Sequence, residues 1–215
     1  MKKYIFLLAV VCSLQLIAFS QSDKYTDAMQ KNLALFDSAK TSEDFVTLSN
    51  NFERIGDAEK TQWLPYYYAG LALSSAGWLP TTKDKDANAT QIYAELDKAT
   101  ANAGNDSVAL SEIEGVRNMA ATQQLQVEPQ TRWMTYGKTA NKALKKGLAY
   151  NPNNPRLYYL QGMSLFFTPT MFGGGKDKAK PVFEKAIALF KTDHPKALYP
   201  DWGMKSAEQQ LELCK

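Results

Sequence analysis

The residues of this 215-residue chain that could do chemistry are few, and their spacing decides most cases. Asp84, Asp86, Asn88 and Glu95 occupy positions one, three, five and twelve of an EF-hand-type loop, which gathers carboxylate and amide oxygens around Ca²⁺. Ala89 stands at the sixth position, where glycine permits the sharp turn, and Gln91 at the apolar eighth. Asp86 as the cap of a helix running to Ala103 explains the same residues, so no metal site is assigned and calcium stands only as an alternative. Gly173-Gly174-Gly175-Lys176 is similar to a phosphate loop, whose amides cradle anions. No glycine lies five residues before Gly175, however, and Asp177 stands where Ser or Thr would bind the metal. A turn into a helix from Asp177 accounts for the glycines.

The only histidine, His194, sits in a turn between Asp193 and Pro195, without the spaced partners of a zinc site or a Ser-His-Asp triad. Glu112 and Glu114 are two apart on a helix and diverge. Cys214 is a buried or frayed end residue, and Lys142, Lys145 and Lys146 form a solvated helical face. No catalytic constellation and no cofactor site emerge, so the chain is expected not to be an enzyme.

Lys2, Lys3, the apolar run Ile5 to Phe19 and the small residues of Ala18-Phe19-Ser20 read as a secretory signal peptide over residues 1–20, cleaved after Ser20. The run is shorter than the roughly 20 residues of a spanning helix, so no stable membrane span is expected after cleavage. Val11 before Cys12 fails the small-residue rule of a lipoprotein box. The mature chain, 21–215, then holds Cys214 alone and must be stabilised by its core without an intrachain disulfide. Losing Lys2 and Lys3 lowers the net charge from +3 to +1, which gives no electrostatic case for nucleic acid or anionic membrane. A periplasmic or secreted location is expected.

The elements that position these residues are helices. Phe45, Leu48, Phe52 and Ile55 recur at steps of three and four, alternating strand patterns are absent, and breakers divide the mature chain into nine helices. Tyr158, Gly162, Ala179, Phe183 and Ala186 carry the spacing of one tetratricopeptide (TPR) unit, and Ala140, Leu144, Gly147 and Pro152 fill the second half of the unit before it. Leu144 to Gly162 and Phe52 to Gly70 are both 18 residues, the junction the pattern requires, while Leu96 to Gly115 is 19. The expected fold is all-α: a TPR-like α-solenoid of about four helical hairpins plus a C-terminal capping helix.

From Asn151-Pro152-Asn153-Asn154-Pro155 onwards, including Tyr158-Tyr159, Thr168-Pro169, Phe172-Gly173-Gly174-Gly175 and Trp202-Gly203, the chain resembles uncharacterised exported TPR proteins of Gram-negative bacteria. The resemblance extends to Trp63-Leu64-Pro65-Tyr66-Tyr67-Tyr68 and Val127-Glu128-Pro129. It implies fold and export, and it carries no activity.

Against a plain TPR unit, the turns inside three hairpins are lengthened, giving inserts at Gly77 to Asp86, Gln124 to Arg132 and Thr168 to Lys176. Equivalent turns of stacked hairpins share one edge, and each insert brings a proline near a large aromatic: Trp78, Trp133 and Phe172. These aromatics form either a recognition edge or covers for the ends of the core. The second candidate surface is the groove of the first helices, lined by Tyr67, Leu71, Glu112, Val116, Arg156, Tyr159, Met163 and Phe166. With Arg156 its only suggestive cation, it is a poor carboxylate clamp. The leading expectation is a non-catalytic binding or scaffolding module for a peptide or envelope protein partner. The alternative is a small-molecule carrier whose inserts close a pocket lined by Tyr67, Tyr159 and Phe166. Oligomeric state has no signature in the sequence.

Overall fold

In the computed structural model, residues 23–215 are described. The expected signal peptide, residues 1–20, lies outside them. Among the described residues there are nine full-length helices and no strand. They are α1 (23–38), α2 (Ser42–Glu59), α3 (Leu64–Trp78), α4 (Lys85–Ala103), α5 (Ser107–Val127), α7 (Lys138–Tyr150), α8 (Pro155–Phe167), α9 (Lys176–Phe190) and α10 (Met204–Glu212), with the one-turn α6 (Pro129–Arg132) between α5 and α7.

Local chemistry sets most boundaries. Thr41 and Asp44 form a reciprocal capping box at the start of α2, and Lys60 ends that helix in the left-handed region. Asp106 and Asn154 cap α5 and α8 by accepting first-turn amides, and Pro155 is pre-set for the helix at N1. Helix α4 is capped by Asp84, which accepts from Ala87 N at 2.8 Å, and not by Asp86 as the sequence suggested. Asp86 is drawn away to Arg132. The second insert also differs from expectation. It is helical apart from Glu128, because Pro129 restarts the helix at once and a π-helical turn over Trp133–Gly137 joins it to α7.

Neighbours in sequence pack as neighbours in space: α2 on α3, α3 on α4, α4 on α5, α5 on α7, α8 on α9, and α9 on α10. Helix α3 is buried around its whole circumference and is the central element, consistent with its apolar sequence. Small residues mark the close approaches. A Cβ on Gly162 would fall 2.5 Å from Phe183 Cε1, one on Gly147 2.7 Å from Leu157 Cδ1, and one on Gly70 3.0 Å from Leu96 Cδ2. The expected all-α class holds.

Helices α3, α5 and α8 run parallel. Ser111 and Glu112, early in α5, meet Asn154 and Arg156 at the start of α8, while Gly115 faces Leu157 and Leu160. Ser74, late in α3, meets Gln123, late in α5. Their C-terminal ends, and the three inserts that follow them, therefore lie at one edge. Irregular segment 191–203 after α9 returns across the same three helices and leads into α10.

Candidate functional site

Buried amides brace the insert edge from below. Gln123 Nε2 donates to Ser74 O at 2.8 Å, and Asn88 Nδ2 donates to Leu73 O at 3.0 Å and to Gln123 Oε1 at 3.2 Å. A Cβ on Gly77 would sit 2.1 Å from Gln123 Oε1, so glycine is required for this network to close. A satisfied buried network of this kind fixes register between helices, here between α3, α4 and α5.

Above it, the first two inserts are tied together. Arg132 Nη1 donates to both carboxylate oxygens of Asp86 at 2.8 Å and to Gln124 O at 3.2 Å, and its guanidinium lies 5.4 Å from the Tyr136 ring centroid. With Arg132 held inward, the next residues, Trp133 and Met134, project to solvent and are 56% and 55% exposed. Trp78, at the end of α3, keeps one face open, with Lys85 Nζ 5.9 Å from its ring centroid. Lys85 also donates to Gly77 O at 2.6 Å.

The third insert is a compact glycine turn. Gly174 N donates to Pro169 O and Gly175 N to Leu165 O, while Gly173 and Gly175 adopt positive φ. A Cβ on Gly174 would meet Thr168 O at 2.2 Å. The glycines thus build a tight turn rather than an anion cradle, and the turn lifts Met171 and Phe172 into solvent at 83% and 72% exposure. Phe167 at the end of α8 is 68% exposed and packs edge-on against Phe166 at 5.2 Å.

The sequence singled out Trp78, Trp133 and Phe172. It missed Met134, Phe167 and Met171, whose signal was available as large apolar residues inside or beside the same inserts. Large exposed apolar patches mark interaction sites, and these exposed side chains stand on braced turns at one edge. Aromatic faces there can stack on a planar ligand, and the thioethers of Met134 and Met171 are soft donors.

The groove residues meet a different fate. Tyr67, Leu71, Glu112, Val116 and Arg156 are buried, and Tyr159, Met163 and Phe166 are partly buried, so they line a filled interface and not an open groove. Segment 191–203 fills it around Tyr67, Arg156 and Tyr159, while Met163 and Phe166 pack against Ala179, Phe183 and Cys214. Trp202 Nε1 donates to Tyr67 OH at 2.9 Å, Tyr68 OH donates to Leu198 O at 2.9 Å, and Tyr199 packs edge-on against Trp63 at 5.4 Å. At the other end Arg156 Nε donates to both oxygens of Glu112 and Nη2 to Asp193 Oδ2 at 2.9 Å. Burial raises the Glu112 pKa, against the pull of Arg156. We read the pair as ionised because the carboxylate accepts from both Arg156 Nε and Asn154 Nδ2.

The calcium alternative finds no support in the placement of its residues. Asp84 caps α4, Asp86 is engaged by Arg132, Asn88 is buried in the amide network, and Glu95 pairs with Lys98 at 2.9 Å, so the four do not converge. Among the described residues no cluster of three His, Cys, Asp or Glu side chains could hold a metal ion, and no helix is long and apolar enough to cross a membrane. The depression between α9 and α10, lined by Ile187, Lys205, Glu208, Gln209, Leu211 and Glu212, includes none of the expected site residues.

No protein-family model and no curated protein sequence matches the chain. Among solved structures it is similar to the HusA haemophore from Porphyromonas gingivalis, at 38% sequence identity and a TM-score of 0.80. The match covers 89% of this chain and 92% of that one.

Proposed function

The chain belongs to the family of the HusA haemophore, and from that premise we propose that it is a non-catalytic carrier of haem or a closely related planar porphyrin. Haem is cargo in this reading, captured on the insert edge. The observation that carries the site is the set of exposed Trp133, Met134, Phe167, Met171 and Phe172 on turns that are themselves rigidly braced. Such a surface offers ring faces for stacking and thioethers toward iron without first having to order itself. Lys85 beside Trp78 and Lys176 after the glycine turn supply cations for propionate groups.

Family membership favours the small-molecule alternative over the peptide or scaffolding module that the sequence put first. The location within the fold also changes. Of the expected pocket, Tyr67 and Tyr159 are covered by segment 191–203 and Phe166 packs against the cluster of Ala179, Phe183 and Cys214, whereas Trp133 and Phe172 are exposed. The finer architecture in this proposal is TPR-like stacking of the α3/α4, α5/α7 and α8/α9 hairpins. Export, to the periplasm or beyond, rests on the signal peptide read at residues 1–20.

Haemin titrated into chain 21–215 tests the reading by its absorbance change. The double variant Trp133→Ala, Phe172→Ala should lose affinity by about tenfold or more, the loss expected when two stacking rings are removed. Its melting temperature should stay unchanged because both rings are exposed. Wild-type protein that leaves the haemin spectrum unaltered would sink the carrier reading. A double variant that binds like wild type would sink the edge as its site.

A further inference from the structure

We propose that the cleft between α3, α5 and α8 is a second ligand site, for a planar aromatic carboxylate, kept closed by the chain's own segment 191–203. This segment presents to the cleft a carboxylate, Asp193, and aromatic rings, Tyr199 and Trp202. The walls that receive them are a guanidinium, Arg156, and a row of rings, Trp63, Tyr67 and Tyr159. Trp202 lies between two of those rings, bonded to the Tyr67 hydroxyl and edge-on to Tyr159 at 6.4 Å. The segment thus occupies the cleft with the functional groups of an aryl carboxylate.

Its fit is imperfect in two independent places. Arg156 is a buried residue, yet its Nη1 has no hydrogen-bond acceptor, because Asp193 engages only Nη2. A buried donor without a partner is costly, and a free carboxylate could span both Nη atoms in the bidentate geometry that guanidinium favours. Leu198, whose carbonyl receives Tyr68, is held at φ 68°, a left-handed conformation that a branched side chain rarely adopts. Displacing the segment would release that strain and return Asp193, already partly exposed, to water.

The segment is also built to move as a unit. Among the described residues its backbone is tied within itself, by Tyr199 N to Lys196 O, and side chains hold its middle to the helices. Its ends are fixed. Asp193 N follows the last turn of α9 by donating to Phe190 O, and Gly203, at φ 112°, packs so close to Phe190 that a Cβ would lie 2.7 Å from Cζ. The cleft is distinct from the insert edge, since Arg156 opens α8 and Phe167 closes it, roughly 16 Å apart at 1.5 Å per residue.

The test uses protoporphyrin IX and its dimethyl ester on the Trp133→Ala, Phe172→Ala background, where binding at the edge is weakened. Bound acid should speed amide hydrogen exchange across residues 194–202, and the ester, which has no free carboxylate, should not. Asp193→Asn, which removes the internal competitor from Arg156, should tighten binding of the acid about fivefold and leave the ester unchanged. The proposal is overturned if the acid does not bind this background, if it leaves exchange over 194–202 unchanged or slower, or if a folded Asp193→Asn chain binds it no better. These outcomes are separate from the edge reading, which stands or falls on the comparison of wild type with the edge variant.

Discussion

Trp202 donates its indole N–H to the hydroxyl of Tyr67 at 2.9 Å, a side-chain bond between residues 135 positions apart. Tyr67 is fully buried in the central helix α3, so this bond secures the returning segment to the middle of the fold. Trp202→Phe keeps one six-membered ring and removes the donor together with the fused pyrrole, leaving the phenol without that partner. The expected loss is about 1–3 kcal/mol, the cost of an unsatisfied buried polar group. Urea unfolding should show a lower midpoint at unchanged slope, and an unchanged midpoint would mean that the bond contributes nothing.

Gly162 and Phe183 give a contrast of sign. A Cβ at Gly162 would fall 2.5 Å from a ring carbon of Phe183, which is itself buried and cannot swing away. Gly162→Ala should therefore destabilise by about 1–3 kcal/mol through overpacking. At Gly115 the nearest atom is the tip of Leu157 at 3.3 Å, a flexible end that can yield. There the gain of roughly 1 kcal/mol in helix propensity offsets the crowding, so Gly115→Ala should stay near wild type. Thermal melts of the two variants check the order.

That contrast also marks what spacing could reveal. Gly162 and Phe183 fall within one repeat unit of the sequence and meet in the structure, whereas the contact of Gly70 with Leu96 was not given by any spacing. Helix number and class followed from breakers, and the structure adds caps such as Thr41 and Asp106 at those boundaries. The filled cleft was not legible. Trp202 finds Tyr67 through an irregular segment with no period, and nothing in the order of residues says that residues 191–203 double back. The same gap misassigned Arg156 to an open groove, since its partner Asp193 lies on that segment. Among the inserts, rings were found by residue type, but the exposure of Met134, Phe167 and Met171 depends on how Arg132 and the glycine turn aim them.

Arg132 should therefore matter to binding more than to folding. Its Nη1, shared by both oxygens of Asp86, joins the first two inserts, and Trp133 next to it faces outward. It lies at the surface, where ion pairs contribute little to stability. Arg132→Ala should leave the melting temperature near wild type and weaken haemin binding several-fold, mainly through faster dissociation, because the ring it positions becomes free to reorient. Arg132→Lys, which keeps the charge but not the planar guanidinium 5.4 Å from the Tyr136 ring centroid, should restore only part of that affinity. Full rescue by lysine would indicate that charge alone is used at this position.

The buried phenols predict how the fold fails in alkali. Burial pushes Tyr25 and Tyr93 up to about 12, and it also raises Tyr67 and Tyr68 well above the ordinary value. In the unfolded chain these groups ionise near the ordinary value of about 10, so above that pH the unfolded state releases protons that the folded state retains. Their contribution to stability is complete below pH 10 and is lost as pH climbs toward the folded values. Denaturation midpoints should therefore hold level approaching pH 10 and fall progressively above it. Phenolate absorbance from these four residues should rise together with loss of helical circular dichroism. Phenolate signal from all four at full native helicity would show that the rings under segment 191–203 are open to hydroxide without unfolding.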